Sequence, residues 1–112
     1  PVPSDFRAAR RAMIDNQLRP EGVSDPLVLA AMAAVPREDH VPDGARAIAY
    51  ADRSVPLDDG RALMPPAALG KLLQALAPAA RERALVAAPA GTYAAALLEA
   101  LGVEVAVEPN TK

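Results

Sequence analysis

The sequence predicts an α/β chain: an N-terminal helical extension, followed by one βαβ unit that starts a parallel sheet left incomplete in this chain. Three observations lead there. Three apolar stripes at helical spacing stand within the first 80 residues, with prolines as punctuation between them. The stretch RALVAAPAGTYAAALLEALGVEVAVEPN, residues 83–110, then changes pattern to two short apolar runs around one helical segment. Those runs fit inside about 25 residues, the span of a right-handed βαβ crossover with its strands parallel.

Each element has a local cause. Ser4 is positioned to cap a first helix that begins with the acid Asp5. Phe6, Ala9, Met13 and Gln17, with Ile14 and Leu18 beside them, follow helical spacing, and Pro20 ends that helix near Leu18. Glu21-Gly22-Val23 is a turn. Ser24 is read as the next cap, ahead of Asp25 and Pro26. Leu27, Val28, Ala31, Met32 and Val35 form the second stripe, which Pro36 closes. Residues 36–52 are irregular, with room for one short helix over 45–49. Residues 53–66 form an extended loop or short hairpin turning at Asp59-Gly60. A third helix spans 67–76, with Leu69, Leu72, Leu73 and Leu76 inward and Pro78 as its stop. A strand over 85–88, a helix over 93–101 ended by Gly102, and a strand over 103–107 complete the pattern. Residues 1–80 thus make a helical region with an extended loop, and 81–112 the first βαβ unit.

Composition limits the functions available. The chain has 112 residues, enough for one small domain. Its hydrophobic fraction is 52%, but much of that is alanine, with one Phe, two Tyr and no Trp, so the core is thin and favours a partner surface. A net charge of −2 gives no electrostatic reason to expect nucleic acid or anionic membrane. The absence of cysteine excludes disulfides and thiol chemistry and fits a cytoplasmic protein. No apolar run approaches the ~20 residues of a membrane span. Pro1-Val2-Pro3 is no signal peptide, and an initial proline leads us to expect residues upstream.

Few side chains stand out as chemistry. After the first strand, Ala88-Pro89-Ala90-Gly91-Thr92 occupies the turn where a nucleotide-binding βαβ unit places glycines. Glu108 stands at the end of the second strand, where an acid would take ribose hydroxyls. One glycine and one acid also describe an ordinary βαβ turn with a surface glutamate. His40 is the single histidine; Asp39 adjoins it, but no further catalytic partner follows from spacing, and a structural role is expected. Arg7, Arg10 and Arg11 share a helix face, either a patch for an acidic partner or a solvated surface. Asp52, Asp58 and Asp59 lack ligand spacing, and no metal is expected.

A wider pattern joins these fragments. Met13-Ile14-Asp15-Asn16-Gln17-Leu18, Val35-Pro36-Arg37-Glu38, Val41-Pro42, Ala49-Tyr50 with Asp52, Val55-Pro56-Leu57 and Gly60-Arg61 occur in an order and spacing that resembles the N-terminal half of the protein-L-isoaspartate O-methyltransferase family. The resemblance implies a Rossmann-like S-adenosylmethionine methyltransferase sheet behind a helical extension. It implies methyl transfer to the misplaced carboxylate of an isoaspartyl residue, which needs an oriented donor and an in-line carboxylate.

Set beside that family, three features depart. The family's turn carries three glycines; here those positions fall on Ala88, Ala90 and Thr92, and Pro89 removes an amide donor. The family carries a serine before the third helix, where a hydroxyl can hydrogen-bond the substrate; Met64 stands there, and a thioether donates nothing. The chain also ends at about half the family's length. The expectation is a catalytically degenerate member without cofactor, serving as an accessory subunit bound to other proteins. The alternatives are an active methyltransferase, with Gly91 and Thr92 at the methionine end of the cofactor and Glu108 on its ribose, or an altered pocket for another small ligand.

Overall fold

The computed structural model describes residues 6–58, 60–83, 85–89, 92–102 and 104–108, with side chains for 6–58, 60–76 and 92–102. The expected cap Ser4, the helix start Asp5, the turn residue Asp59, the turn residues Ala90 and Gly91, and Val103 at the start of the last strand lie outside these.

Helix α1 (Phe6–Met13) runs directly into a π-helical turn, Ile14–Leu18. The amide of Gly22 bonds Arg19 O and that of Val23 bonds Leu18 O, with Gly22 at φ +95°. This is a Schellman ending, and the positive φ is why glycine sits there. Helix α2 (Pro26–Ala34) follows, capped by Asp25, whose carboxylate accepts from the amides of Leu27 and Val28. Ser24 is therefore not the cap, as its place before Asp25 had led us to expect. Instead, the amides of Ser24 and Asp25 both donate to Gln74 Oε1, at 2.8 and 2.7 Å, while Gln74 Nε2 donates to Gly22 O. One distant side chain thus satisfies the two amides just ahead of the helix, while Asp25 caps it.

Two 3₁₀ turns, Arg37–His40 and Asp43–Ile48, carry the chain onward, where the sequence had offered one short helix over 45–49. The hairpin is present: β1 (Val55–Pro56) pairs antiparallel with β2 (Ala62–Leu63), and Gly60 takes φ +85° in its turn. Helix α3 (Pro66–Arg83) is longer than expected and passes through Pro78. The strong helix formers on either side sustain it across the one bond that proline cannot donate.

The βαβ unit is present as read. Strand β3 (Leu85–Pro89), helix α4 (Tyr93–Ala100) and strand β4 (Glu104–Glu108) follow in order, and the strands pair in parallel from Leu85 with Glu104 to Pro89 with Glu108. Thr92 caps α4, accepting from the amide of Ala95, and Gly102 ends it at φ +85°.

The core gathers around α2, which packs against both α3 and α4. Val28, Leu29, Ala31 and Met32 of α2 meet Leu69 and Leu73 of α3 and Tyr93, Leu97 and Leu98 of α4. Three leucines assigned inward point outward instead: Leu27, Leu72 and Leu76 are each about half exposed. Leu29 is buried in place of Leu27. The all-apolar α2 has no polar face from which its inward side could be read. Gly70 lets α3 sit close, since a Cβ there would lie 3.0 Å from Val23 Cγ2 and 3.3 Å from Leu18 Cδ2.

Candidate functional site

The most buried charged side chain is Arg37, which is fully enclosed. Its Nε donates to Ala49 O and its Nη2 to Met64 O at 2.7 Å, and its guanidinium lies 5.4 Å from the centre of the Tyr93 ring. Burial lowers its pKa from the usual value, although the tyrosines beside it act in the opposite sense. Its Nη1 and the Tyr93 hydroxyl are both buried without a hydrogen-bond partner among the described residues.

Next to it stands a second group. The Tyr50 hydroxyl donates to Glu38 Oε1 and accepts from Arg10 Nε at 2.8 Å and from the Arg37 amide at 3.0 Å. A phenol has one proton and two lone pairs, so its capacity is full. Burial, followed by the bond it donates to Glu38, pushes its pKa up to about 12. Burial alone would raise the pKa of Glu38, but hydrogen bonds from Tyr50, the backbone and Arg10 outweigh it and hold the carboxyl below its ordinary value. Arg10 completes the group with an ion pair to Glu38 Oε2 at 3.1 Å. Gln17, in the π turn, donates to Tyr50 O at 2.7 Å.

Arg10 is thus not part of a solvated or partner-facing helix face, as its spacing with Arg7 and Arg11 had implied. A distant carboxylate draws it inward, and only Arg7 and Arg11 remain exposed. Asp39 ion-pairs with Arg46 at 3.3 Å. His40 Nδ1 sits 3.1 Å from Pro36 O, and its ring stacks at a tilt on Tyr93, 5.4 Å between centroids. These contacts fix the orientation of the His40 ring. Among the described residues no group of side chains could hold a metal ion.

A cleft of about 610 Å³ is lined by Met64 and Tyr93, which Arg37 touches through a carbonyl and a ring. Met64 and Leu63 line one part of it, Thr92 and Tyr93 another, with His40 and Leu57 between. The two sequence positions singled out as departures, Met64 and Thr92, therefore border one space although 28 residues separate them. The Thr92 hydroxyl accepts the amide of Ala95 as a helix cap. Ala88 lies in β3 beside Val107, and Glu108 is level with Pro89 at the carboxyl ends of the paired strands. That end of a parallel pair, beside the loop leading into the next helix, is where open α/β sheets take ligands.

The family model for protein-L-isoaspartate(D-aspartate) O-methyltransferase matches residues 8–108. The chain belongs to this family. Protein-L-isoaspartate O-methyltransferase 2 of Marinobacter nauticus is 43% identical over 101 residues, which is 90% of this chain and 46% of that protein. The Methylorubrum extorquens protein-L-isoaspartate O-methyltransferase is 40% identical over 105 residues, 94% of this chain and 46% of its own length. Protein-L-isoaspartate O-methyltransferase 1 of Rhodopseudomonas palustris is 38% identical over 102 residues, covering 91% and 42%. The chain thus spans less than half the length of these methyltransferases.

Within this methyltransferase-family chain, the polar group around Arg37 and Tyr50 was the part that residue-by-residue reading missed. Its hydrogen-bonded side-chain partners are 12 to 40 positions apart, beyond any local pattern. The signal was nonetheless in the sequence. Gln17, Arg37, Glu38, Ala49 and Tyr50 all lie within the motif pieces that carried the family resemblance.

Proposed function

We propose that this chain is a methyltransferase-family module that has kept the substrate-side scaffold and lost methyl transfer, acting as an accessory subunit that binds other proteins. The observation that carries the reading is the turn after β3. Ala88 and Thr92 add side chains at family glycine positions, Pro89 offers no amide proton, and the Thr92 hydroxyl is already engaged as the cap of α4. This set does not fit a phosphate- or nucleoside-cradling turn, and no step through S-adenosylmethionine is derived from it. Met64 supports the same reading at the position of the family serine, since its thioether donates no hydrogen bond to a carboxylate. The acid Glu108 remains at the strand end.

A second reading keeps the enzyme. About 40% identity to proteins named as isoaspartate methyltransferases, over nine-tenths of the chain, favours it. Gly91 and Thr92 would then line the methionine end of the cofactor and Glu108 its ribose. Calorimetric titration of S-adenosylmethionine into the longest natural form of the protein separates the two. No heat of binding up to about 1 mM cofactor, a free energy weaker than roughly −4 kcal/mol, supports the accessory reading. Micromolar binding with methyl transfer to an isoaspartyl peptide overturns it.

A further inference from the structure

A groove of about 640 Å³ runs between α1 with its π turn and α2, and it shares no lining residue with the cleft. Its rim carries Arg7, Arg10, Arg11 and Arg19 against a single carboxylate, Asp15. Once the ion pairs that the arginines form are counted, two positive charges remain there in a chain whose net charge is −2. Two of the four arginines are already engaged: Arg10 with Glu38 and Tyr50, and Arg19 with Asp15 at 3.5 Å. Arg7 and Arg11 are exposed and form no ion pair among the described residues. Ile14 and, from α2, Leu29, Ala30 and Ala33 add an aliphatic lining to the groove.

We propose that this groove docks an extended acidic segment of another polypeptide. The spacing favours that occupant. Arg7 and Arg11 are one helical turn apart, about 6 Å along the axis. Side chains on one side of an extended chain repeat at about 6.7 Å, so carboxylates at alternate positions meet the two guanidinium groups in register. The guanidinium fork pairs well with carboxylates, and the residue between them has the aliphatic lining of the groove to meet. Nucleic acid fits less well, because no aromatic side chain lines the groove to stack a base. Nothing in this inference depends on whether the cleft holds cofactor.

The test is fluorescence anisotropy with a labelled hexapeptide that alternates aspartate with alanine or leucine, titrated with the full chain at low salt. Saturable binding that weakens with added salt is expected, because exposed charge pairs are screened. Arg7→Glu with Arg11→Glu should weaken it roughly tenfold or more, whereas Arg7→Lys with Arg11→Lys should keep most of it. Both positions are exposed, and circular dichroism of each variant checks that the fold persists. Three results overturn the proposal: no saturable binding below about 1 mM peptide, binding unchanged by charge reversal, or equal binding of an oligonucleotide of matched charge.

Discussion

The polar group around Arg37 and the turn after β3 stand under different constraints. Around Arg37, side chains form a dense set of contacts: a saturated tyrosine hydroxyl, a part-buried ion pair, and an arginine holding the carbonyls of Ala49 and Met64. After β3, on the accessory reading proposed above, side chains stand at the family glycine positions, and the one described hydroxyl of the turn serves α4. The comparison separates two kinds of constraint. A buried polar group that loses a partner leaves charges and carbonyls unsatisfied, so such a set is held by stability alone. A cofactor turn supports little of the fold, and its glycines serve close approach of the ligand rather than packing. On the accessory reading, that constraint is relaxed and side chains can enter.

The sharpest way to break the first part is Arg37→Ala. It strips two buried carbonyls of their donor and opens a void beside Tyr93. We expect a loss of about 3 kcal/mol or more in urea unfolding, with the same slope if the native state stays compact. A smaller effect follows from Glu38→Gln, which takes the charge from the carboxylate that Tyr50 and Arg10 share. A cost of about 2 kcal/mol near neutral pH is expected. The carboxyl's pKa is lowered by folding, so its contribution is present above the unfolded value of 4.5 and lost as pH falls through the lower folded value. The variant's stability should therefore converge on the parent's at acid pH. Identical pH profiles of unfolding for the two proteins would count against the contact.

The turn is addressed by Ala88→Gly, Ala90→Gly and Thr92→Gly together. Because glycine is nearly as good an N-cap as threonine, the stability change at Thr92 should be only a few tenths of a kcal/mol. If the replaced glycines are what excludes cofactor, calorimetry should detect S-adenosylmethionine affinity at least about tenfold above the parent's, equivalent to 1.4 kcal/mol. Gly70→Ala is expected to cost about 1 kcal/mol in thermal unfolding, because the added methyl meets Val23 and Leu18 at 3.0–3.3 Å in a packed core. Asp15→Ala, which removes the exposed pair to Arg19, should change stability by less than about 0.5 kcal/mol.

Alkaline titration offers a measure of the same contacts without mutation. The chain has two tyrosines, and both have raised pKa values, Tyr50 to about 12. A group whose pKa is raised by folding contributes stability below its unfolded value and loses it as pH climbs to the folded one. The tyrosinate absorbance should therefore stay low past pH 10 and rise together with unfolding. An early rise near pH 10 in folded protein would mean that the hydroxyls are freer than their contacts imply.

The sequence by itself determined the order of elements, the βαβ unit, the hairpin and the family. These rest on local periodicity, on proline and glycine at turns, and on motif spacing, all of which act within a few residues along the chain. Tertiary structure decided what such signals cannot carry. Local spacing grouped Leu69, Leu72, Leu73 and Leu76 on one face, but only packing against α2 and the π turn selected Leu69 and Leu73. Asp25 rather than Ser24 became the cap because Gln74, about 50 positions away, takes the Ser24 and Asp25 amides. Arg10 left the helix surface because Glu38 and Tyr50 offered it a carboxylate and a hydroxyl away from bulk water. Met64 and Thr92 became neighbours of one cleft only after α3 and α4 had packed onto α2. Each of these depends on groups distant in sequence meeting where water is scarce, and there a single charged or polar partner outweighs local propensity.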